Sequence, residues 1–113
     1  MKVINLTQKK TLAEHAEVAD SPLTRMVGLL NRPSLPSGEA LIITRCNSIH
    51  MFFMRFAIDV VFIDGLNRVV GVVSNIKPFR LSPIFWSAKQ AIELPAGVIN
   101  QSKTGLGDQI QIL

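Results

Sequence analysis

The sequence predicts an α+β domain that is mainly β, with about seven short strands and one or two short helices. Two observations lead to this prediction. Residues 58–63 and 68–73 are rich in β-branched and aromatic residues and flank a turn that contains Gly65 and Asn67. The other apolar runs are also short, and most of them alternate with polar residues. We expect a compact two-sheet sandwich or a partly open barrel, because either architecture buries such strands.

The hairpin at 58–73 is the centre of this predicted fold. Both of its strands are apolar on both faces, which is typical of strands that are covered from two sides. Asp59 lies within the first strand, and a buried carboxylate is costly unless a cation or several backbone donors accompany it. We therefore expect Asp59 to have such partners.

The N-terminal half predicts a strand at 2–7, a turn, and a second strand at 11–19. The second segment also has helical composition, and we prefer a strand because a short turn favours a hairpin. Ser21 and Pro22 then resemble the N-cap and first residue of a helix with one apolar face, which ends before Pro33.

The remaining elements follow from the same patterns. Residues 39–44 and 89–94 are predicted strands, and 49–55 is predicted to be extended, with His50, Phe52 and Met54 on one face. Segment 75–87 is predicted to be a loop in which aromatic residues cover the core. A helix at 96–103, stopped by Gly105, and a last strand at 109–113 complete the chain.

Length and composition limit the classes of protein. A chain of 113 residues forms one domain, 1–113, and no apolar run approaches the roughly 20 residues that span a bilayer. The single cysteine, Cys46, favours a reducing compartment, so we expect a cytoplasmic protein with no membrane partner. Its net charge of +4 is spread along the chain, which makes nucleic acid an unlikely partner but leaves it open.

The candidates for a site are five ionisable residues: Arg25, His50, Arg55, Asp59 and Glu93. Three of them, His50, Arg55 and Asp59, lie in or beside the central hairpin. One hypothesis is an Arg25–Asp59 pair that locks the helix to the sheet. A second is a hydrolase-like enzyme in which His50 is a base oriented by Asp59 or Glu93. Neither Cys46 nor Ser48 lies in a nucleophile motif, and no paired metal-ligand spacing occurs, so we expect no metal and no cofactor. Whether any reaction is catalysed stays open.

A binding module is the hypothesis that the sequence favours. The ligand would be a small molecule or a peptide, held by exposed aromatic rings with His50 or Arg55 as polar anchors. The aromatic candidates that could line such a face are Phe52, Phe53, Phe79, Phe85 and Trp86. A purely structural domain, or one that binds another protein, would account for the same residues.

Residues 53–64, Phe-Met-Arg-Phe-Ala-Ile-Asp-Val-Val-Phe-Ile-Asp, resemble the signature of the family called domain of unknown function 192. Segment 91–97 and Gly107-Asp108 resemble its C-terminal signature, and 25–30 resembles its helical segment. The resemblance covers about residues 3–113. It implies a compact β-rich domain of bacterial or archaeal origin, secreted or cytoplasmic, without an assigned activity. We expect a bacterial protein.

Two positions depart from the pattern of that family. Ala57 stands where proline is usual, and Met51 stands where threonine is usual. The first change removes a constraint on the bend before Ile58, and the second removes a hydroxyl group next to His50.

Overall fold

The computed structural model describes residues 1–21, 24, 29–30 and 32–113. Eight strands and one short helix lie in these ranges: β1 (Val3–Asn5), β2 (Lys10–Ala13), β3 (His15–Ala19), β4 (Glu39–Thr44), β5 (Ile58–Ile63), β6 (Val69–Ile76), β7 (Gln90–Pro95), α1 (Val98–Ser102) and β8 (Ile110–Ile112). The helix predicted from Ser21 falls mostly on residues outside the described ones. Ser21 Oγ accepts a hydrogen bond from the Thr24 amide at 3.1 Å, as an N-cap serine does.

The strands form two sheets, which confirms the predicted two-sheet, mainly β fold. The small sheet has the order β2-β1-β8, and the large sheet has the order β3-β4-β7-β5-β6. All pairs of neighbouring strands are antiparallel except β3 and β4, which are parallel. Within the described ranges, no helix has the length and hydrophobicity that crossing a membrane would need.

One hydrophobic core lies between the two sheets. The small sheet contributes Val3, Leu12 and Ile110, and the facing side of the large sheet contributes residues such as Val61 and Ile92. Helix α1 closes the edge of this core with Ile99. Because side chains alternate along a strand, Asp59 lies on the same face of β5 as Val61.

A second core lies on the opposite face of the large sheet. Val60, Phe62 and Ala91 point into it from the sheet, while Met51 and Met54 reach it from the connection between β4 and β5. Every residue of β5 is buried, so the expectation of a strand covered on both faces is confirmed for β5. It was wrong for β6, an edge strand with half-buried and exposed residues.

The connection between β6 and β7 is anchored by Phe85. A Cβ atom added at Gly71 would overlap the Phe85 ring, so the absence of a side chain on β6 makes room for this ring. Phe85 also packs against Phe62, with ring centroids 4.6 Å apart. The prediction that loop aromatics cover the core therefore holds for Phe85, whereas Phe79 and Trp86 are exposed.

The prediction of one strand at 11–19 was wrong in its continuity. Glu14 separates β2, which pairs with β1 in the small sheet, from β3, which pairs with β4 in the large sheet. The amides of Glu14 and His15 both donate to the Gly38 carbonyl oxygen at 2.9 Å, which fixes the crossing point. His15 is exposed, as expected.

Two further predictions were wrong for reasons of backbone conformation. Segment 49–55 is not extended, because a turn reverses the chain at Phe53, where φ is 65°. Met51 and Met54 are consequently both buried, although strict alternation would place them on opposite faces. At the end of α1, Lys103 and not Gly105 takes the left-handed conformation, with φ 58°.

Candidate functional site

Asp59 is a fully buried carboxylate whose partners are backbone amides. Its Oδ1 accepts a hydrogen bond from Asn75 N at 2.8 Å, and its Oδ2 accepts bonds from Gly97 N at 3.0 Å and Ile99 N at 2.9 Å. Gly97 is the N-cap of α1, so the carboxylate satisfies two amide groups that a helix start leaves free. Asp59 therefore fixes α1 and the end of β6 to β5. These are the several backbone donors that burial of the carboxylate requires.

Glu93 lies on the other face of the large sheet from Asp59. It pairs with Leu41 of β4 and Val60 of β5, and its side chain shares a face with Ala91 in the second core. The residue is 6% exposed, and its carboxyl group has no hydrogen-bond or ion-pair partner among the described residues. The two carboxylates predicted to share a site are thus separated by the sheet.

Burial raises the pKa of Glu93 from its ordinary value of 4.5 to about 7. The folded chain then binds more protons than the unfolded chain between these values, so the free energy of unfolding falls as pH rises through this range. Below about pH 4.5 the group is neutral in both states and has no such effect. Glu93 is a group that destabilises the fold when it is charged.

His50 lies in a cluster of exposed rings. Its imidazole stacks on Phe52 with centroids 5.4 Å apart, Phe52 lies 6.5 Å from Phe79, and Phe53 meets Phe79 edge-on at 5.9 Å. Phe53 is 75% exposed and Phe79 is 60% exposed. Leu81, which forms an isolated β-bridge with His50, is also exposed. We call these five residues, His50, Phe52, Phe53, Phe79 and Leu81, the aromatic surface.

Two rings of the aromatic surface stand on unusual backbone. Phe53 and Phe79 both have φ 65°, in the left-handed region that bulky residues rarely occupy. Each such residue costs about 1–2 kcal/mol. The surrounding contacts therefore hold these two side chains in place at a cost to stability.

The scaffold below the aromatic surface is well ordered by hydrogen bonds. Phe79 N donates to Met51 O at 2.7 Å, Met51 N donates to Arg80 O at 2.8 Å, and further bonds join 47–49 to 82–85. Met51 is 1% exposed and anchors this pairing in the second core. The aromatic surface is thus built in advance of any ligand.

The chain segments that carry the aromatic surface are rich in unpaired cations. Five basic residues in the stretch 45–89 are exposed and have no ion-pair partner among the described residues: Arg45, Arg55, Lys77, Arg80 and Lys89. The acidic residues of the same stretch are Asp59, which is buried, and Asp64, which lies 3.7 Å from Arg68 at the turn of the β5–β6 hairpin.

The other sequence candidates are dispersed. Trp86 is 79% exposed and directly follows Phe85 in the chain. Arg25 lies outside the described residues, and its predicted pair with Asp59 is therefore not described either. The Cys46 thiol donates to the Ser48 carbonyl oxygen at 3.1 Å. Of the predicted site residues, the structure brings together His50, Phe52, Phe53 and Phe79. Arg55 is exposed one residue beyond Met54, in the same turn-containing segment.

Sequence reasoning did not assign Leu81, Arg80 or Lys77 to the site. Backbone pairing between residues that are more than 25 positions apart brings Arg80 and Leu81 beside 50–51. The local sequence pattern does not predict this long-range pairing. The conformation of Phe53 and Phe79 was equally hidden, because phenylalanine is not a residue that predicts positive φ.

A groove of about 230 Å³ lies elsewhere, between β2 and α1. Its lining includes Lys10, Glu14 and Gln101, but no aromatic residue and none of the sequence candidates. Within the described residues, no three side chains of His, Cys, Asp or Glu come together as metal ligands would. The aromatic surface is therefore the better candidate site.

The related proteins found by sequence comparison carry the same family name, UPF0127. A UPF0127 protein from Thermococcus sibiricus is 37% identical over 112 residues, which are 96% of this chain and 72% of that protein. A UPF0127 protein from Pyrococcus abyssi is 34% identical, and the matched region covers 96% of this chain and 95% of that protein. These relatives are archaeal, and the bacterial origin that we expected stays a prediction.

Two solved structures share the fold. A Novosphingobium aromaticivorans protein of unknown function superposes with a TM-score of 0.85 at 20% identity, over 99% of this chain and 84% of that one. A Sinorhizobium meliloti protein assigned as a candidate transcription regulator gives 0.81 at 20% identity, over 97% and 89%. The profile of domain of unknown function 192, described as an uncharacterized ACR, matches residues 3–112. The chain belongs to the domain of unknown function 192 family, as its sequence signatures indicated.

Proposed function

We propose that this protein is a binding module that holds a small ligand or a peptide on the aromatic surface. The observation that carries the proposal is the pair of exposed phenylalanines, Phe53 and Phe79, held at positive φ and in contact with each other. Strained backbone beneath exposed side chains is a feature of ligand-binding sites. Here the strain keeps apolar rings in water, which favours a binding role over a structural one.

The surface offers enough apolar area for measurable affinity. Covering roughly 200 Å² of ring surface contributes about 5 kcal/mol at 25 cal/mol per Å². Immobilising the ligand offsets several kcal/mol of this gain. Additional contacts with flanking cations such as Arg55 and Arg80 then bring the expected dissociation constant into roughly the micromolar range.

The enzyme alternative has weaker support. His50 is exposed and stacked on Phe52, whereas its two suggested carboxylate partners, Asp59 and Glu93, are buried. The Cys46 thiol donates a hydrogen bond to the Ser48 carbonyl oxygen. A general base needs a substrate proton within reach and an orienting group, and a nucleophile must lie next to its base. The described residues around His50 supply rings and cations, which suit recognition better than covalent chemistry.

The cellular location forms part of the same proposal. Cys46, the single cysteine, makes no intrachain disulfide, and a reducing compartment is where such a chain is most common. We infer a cytoplasmic binding module. Fractionation of cells that express the tagged chain tests this location, and recovery in the membrane or extracellular fraction would contradict it.

A thermal-shift panel tests the binding role. Small aromatic acids, nucleotides, sugars and short peptides are added to the wild type, to the double variant Phe53→Ser/Phe79→Ser and to Leu106→Ser. Leu106 is a matched control, because it is 69% exposed and lies in the loop before β8. A ligand at about 100 times its dissociation constant should stabilise the fold by about 2.7 kcal/mol.

The expected result is a rise in Tm that the wild type and Leu106→Ser share and the double variant loses. A ligand that stabilises all three proteins equally would place binding elsewhere. If no compound of the panel stabilises the folded wild type, the proposal is wrong for these ligand classes.

A further inference from the structure

We propose that the natural occupant of the aromatic surface is an acidic, apolar peptide segment of a partner protein, bound in an extended conformation. This inference rests on the proposed binding function and names the partner that would use it. Three observations carry it: the unpaired cations that flank the rings, the mutual packing of the rings, and the length of the paired loops.

The cations determine the charge of the partner. Arg55 and Lys77 lie within two residues of a ring in sequence, and Arg80 lies between Phe79 and Leu81. Arg45 and Lys89 lie at the other end of the paired loops, where Cys46 N donates to Lys89 O. All five are exposed and have no carboxylate partner among the described residues. A complementary partner therefore carries acidic groups on both sides of an apolar centre.

The rings determine the shape of that apolar centre. His50, Phe52, Phe79 and Phe53 form a chain of contacts with centroid separations of 5.4 to 6.5 Å. Rings this close leave no gap for a planar base between them, and the edge-on contact of Phe53 with Phe79 covers part of a ring face. One or two aliphatic or aromatic side chains fit such a surface better than a stacked nucleic-acid strand does.

The ring packing also favours a peptide over a lipid bilayer. Side chains that insert into a membrane interface must project beyond the polar residues around them. The two most exposed phenylalanine rings, Phe53 and Phe79, pack edge-on against each other and do not stand apart, and the ring of Phe52 is held against His50 and Phe79. This arrangement recognises discrete side chains.

The paired loops determine the length of the segment. Backbone hydrogen bonds join 47–51 to 79–85. The hydrogen-bonded stretch from Asn47 to Met51, which ends before the turn at 52–53, spans roughly 13 Å at about 3.3 Å per residue, and flanking acids add a residue at each end. The partner segment is therefore about five to seven residues long.

Selection from a library of random seven-residue peptides displayed on phage tests the inference. Immobilised wild-type protein is used for selection, and enriched sequences are synthesised with a fluorescent label for anisotropy titrations. Each peptide is also made with its acidic residues replaced by the corresponding amides. We expect enriched peptides to carry acidic residues on both sides of an aromatic or branched aliphatic residue, and the amide versions to bind about tenfold more weakly.

Two charge-reversal variants provide the matched comparison. Arg55→Glu/Arg80→Glu changes the charge beside the aromatic surface, and Lys9→Glu/Lys103→Glu makes the same change in net charge at two other exposed positions. The first variant should lose about tenfold in affinity or more, a change of about 1.4 kcal/mol, while the second should bind nearly as well as the wild type. Thermal unfolding confirms that each variant is folded.

Other outcomes would overturn the inference in distinguishable ways. Neutral or basic peptides that need Phe53 and Phe79 would leave the binding function standing and refute the acidic partner. Peptides that bind Phe53→Ser/Phe79→Ser as well as the wild type would refute both. Equal losses in the two charge variants would show unspecific attraction. Tighter binding of oligothymidylate, or of phosphatidylcholine–phosphatidylserine vesicles, than of any selected peptide would assign the surface to a nucleic acid or a membrane.

Discussion

Replacing Asp59 with asparagine tests whether the buried carboxylate holds the fold together. In the wild type, three backbone amides donate to it: Asn75 and, at the start of α1, Gly97 and Ile99. Asparagine has a nearly identical shape but only one acceptor oxygen, and its NH₂ group is a donor. If its oxygen takes the position of Oδ2, the NH₂ group faces the Asn75 amide, and two donors then point at each other.

The magnitude follows from the lost bond and the unpaired amide. A hydrogen bond to a charged group contributes about 1.5–3 kcal/mol, and a buried amide without a partner costs about 1–3 kcal/mol. Removal of the cost of burying the charge of Asp59 offsets part of this loss. We expect a net loss of about 3 kcal/mol, which lowers Tm by roughly 12 °C in a domain of this size.

The assay is urea unfolding of the wild type, Asp59→Asn and Asp64→Asn, followed by far-ultraviolet circular dichroism. Asp64 is the control because its carboxylate also accepts two backbone amides, from Leu66 at 2.9 Å and Arg68 at 3.0 Å, but at an exposed turn. Both amides donate to Oδ1, so the single oxygen of asparagine keeps both bonds, and Asp64→Asn should leave the unfolding midpoint nearly unchanged. An Asp59→Asn midpoint equal to that of the wild type, or equal losses in the two variants, would refute the role of burial.

Three other changes have defined outcomes. Glu93→Gln should raise the free energy of unfolding by up to about 3 kcal/mol at pH 8 and leave it nearly unchanged at pH 4, because burial raises the pKa of Glu93 to about 7. Urea midpoints at the two pH values measure this difference, and a difference that does not depend on pH would contradict the prediction. Gly71→Ala should lower stability by about 1–3 kcal/mol because its methyl group displaces the Phe85 ring, and an unchanged midpoint would show that this ring has room to move. Lys103→Gly should raise stability by about 0.5–1 kcal/mol, since glycine avoids the cost of φ 58° at the end of α1; a lower Tm in thermal unfolding would show that this cost is absent.

The sequence predicted the strands well wherever burial determines the pattern. The boundaries of β4 were predicted at 39–44 as observed, and the apolar run of β5 correctly indicated a strand covered on both faces. The break at Glu14 was not predictable from alternation, because both halves of 11–19 are strands and only pairing with different sheets separates them.

The site was harder to predict because its geometry depends on long-range pairing. The composition of 50–55 marked His50, Phe53 and Arg55 as unusual; the first two belong to the aromatic surface, and Arg55 is one of the cations next to it in sequence. Extended geometry was the wrong assumption for this segment, since the turn at Phe53 depends on Met51 and Met54 both entering the second core. Glu93 and Asp59 looked equivalent in sequence, whereas the alternation of strand faces gives them different surroundings.

The most direct test of the central claim is amide chemical-shift mapping of the wild-type protein with a ligand found by either screen. The account predicts the largest shifts in 49–56 and 77–84, the two segments that form the aromatic surface, and shifts that saturate with the affinity measured in solution. Shifts concentrated instead at 10–14 and 98–102, beside the groove between β2 and α1, would contradict the account and move the binding site to the other side of the molecule.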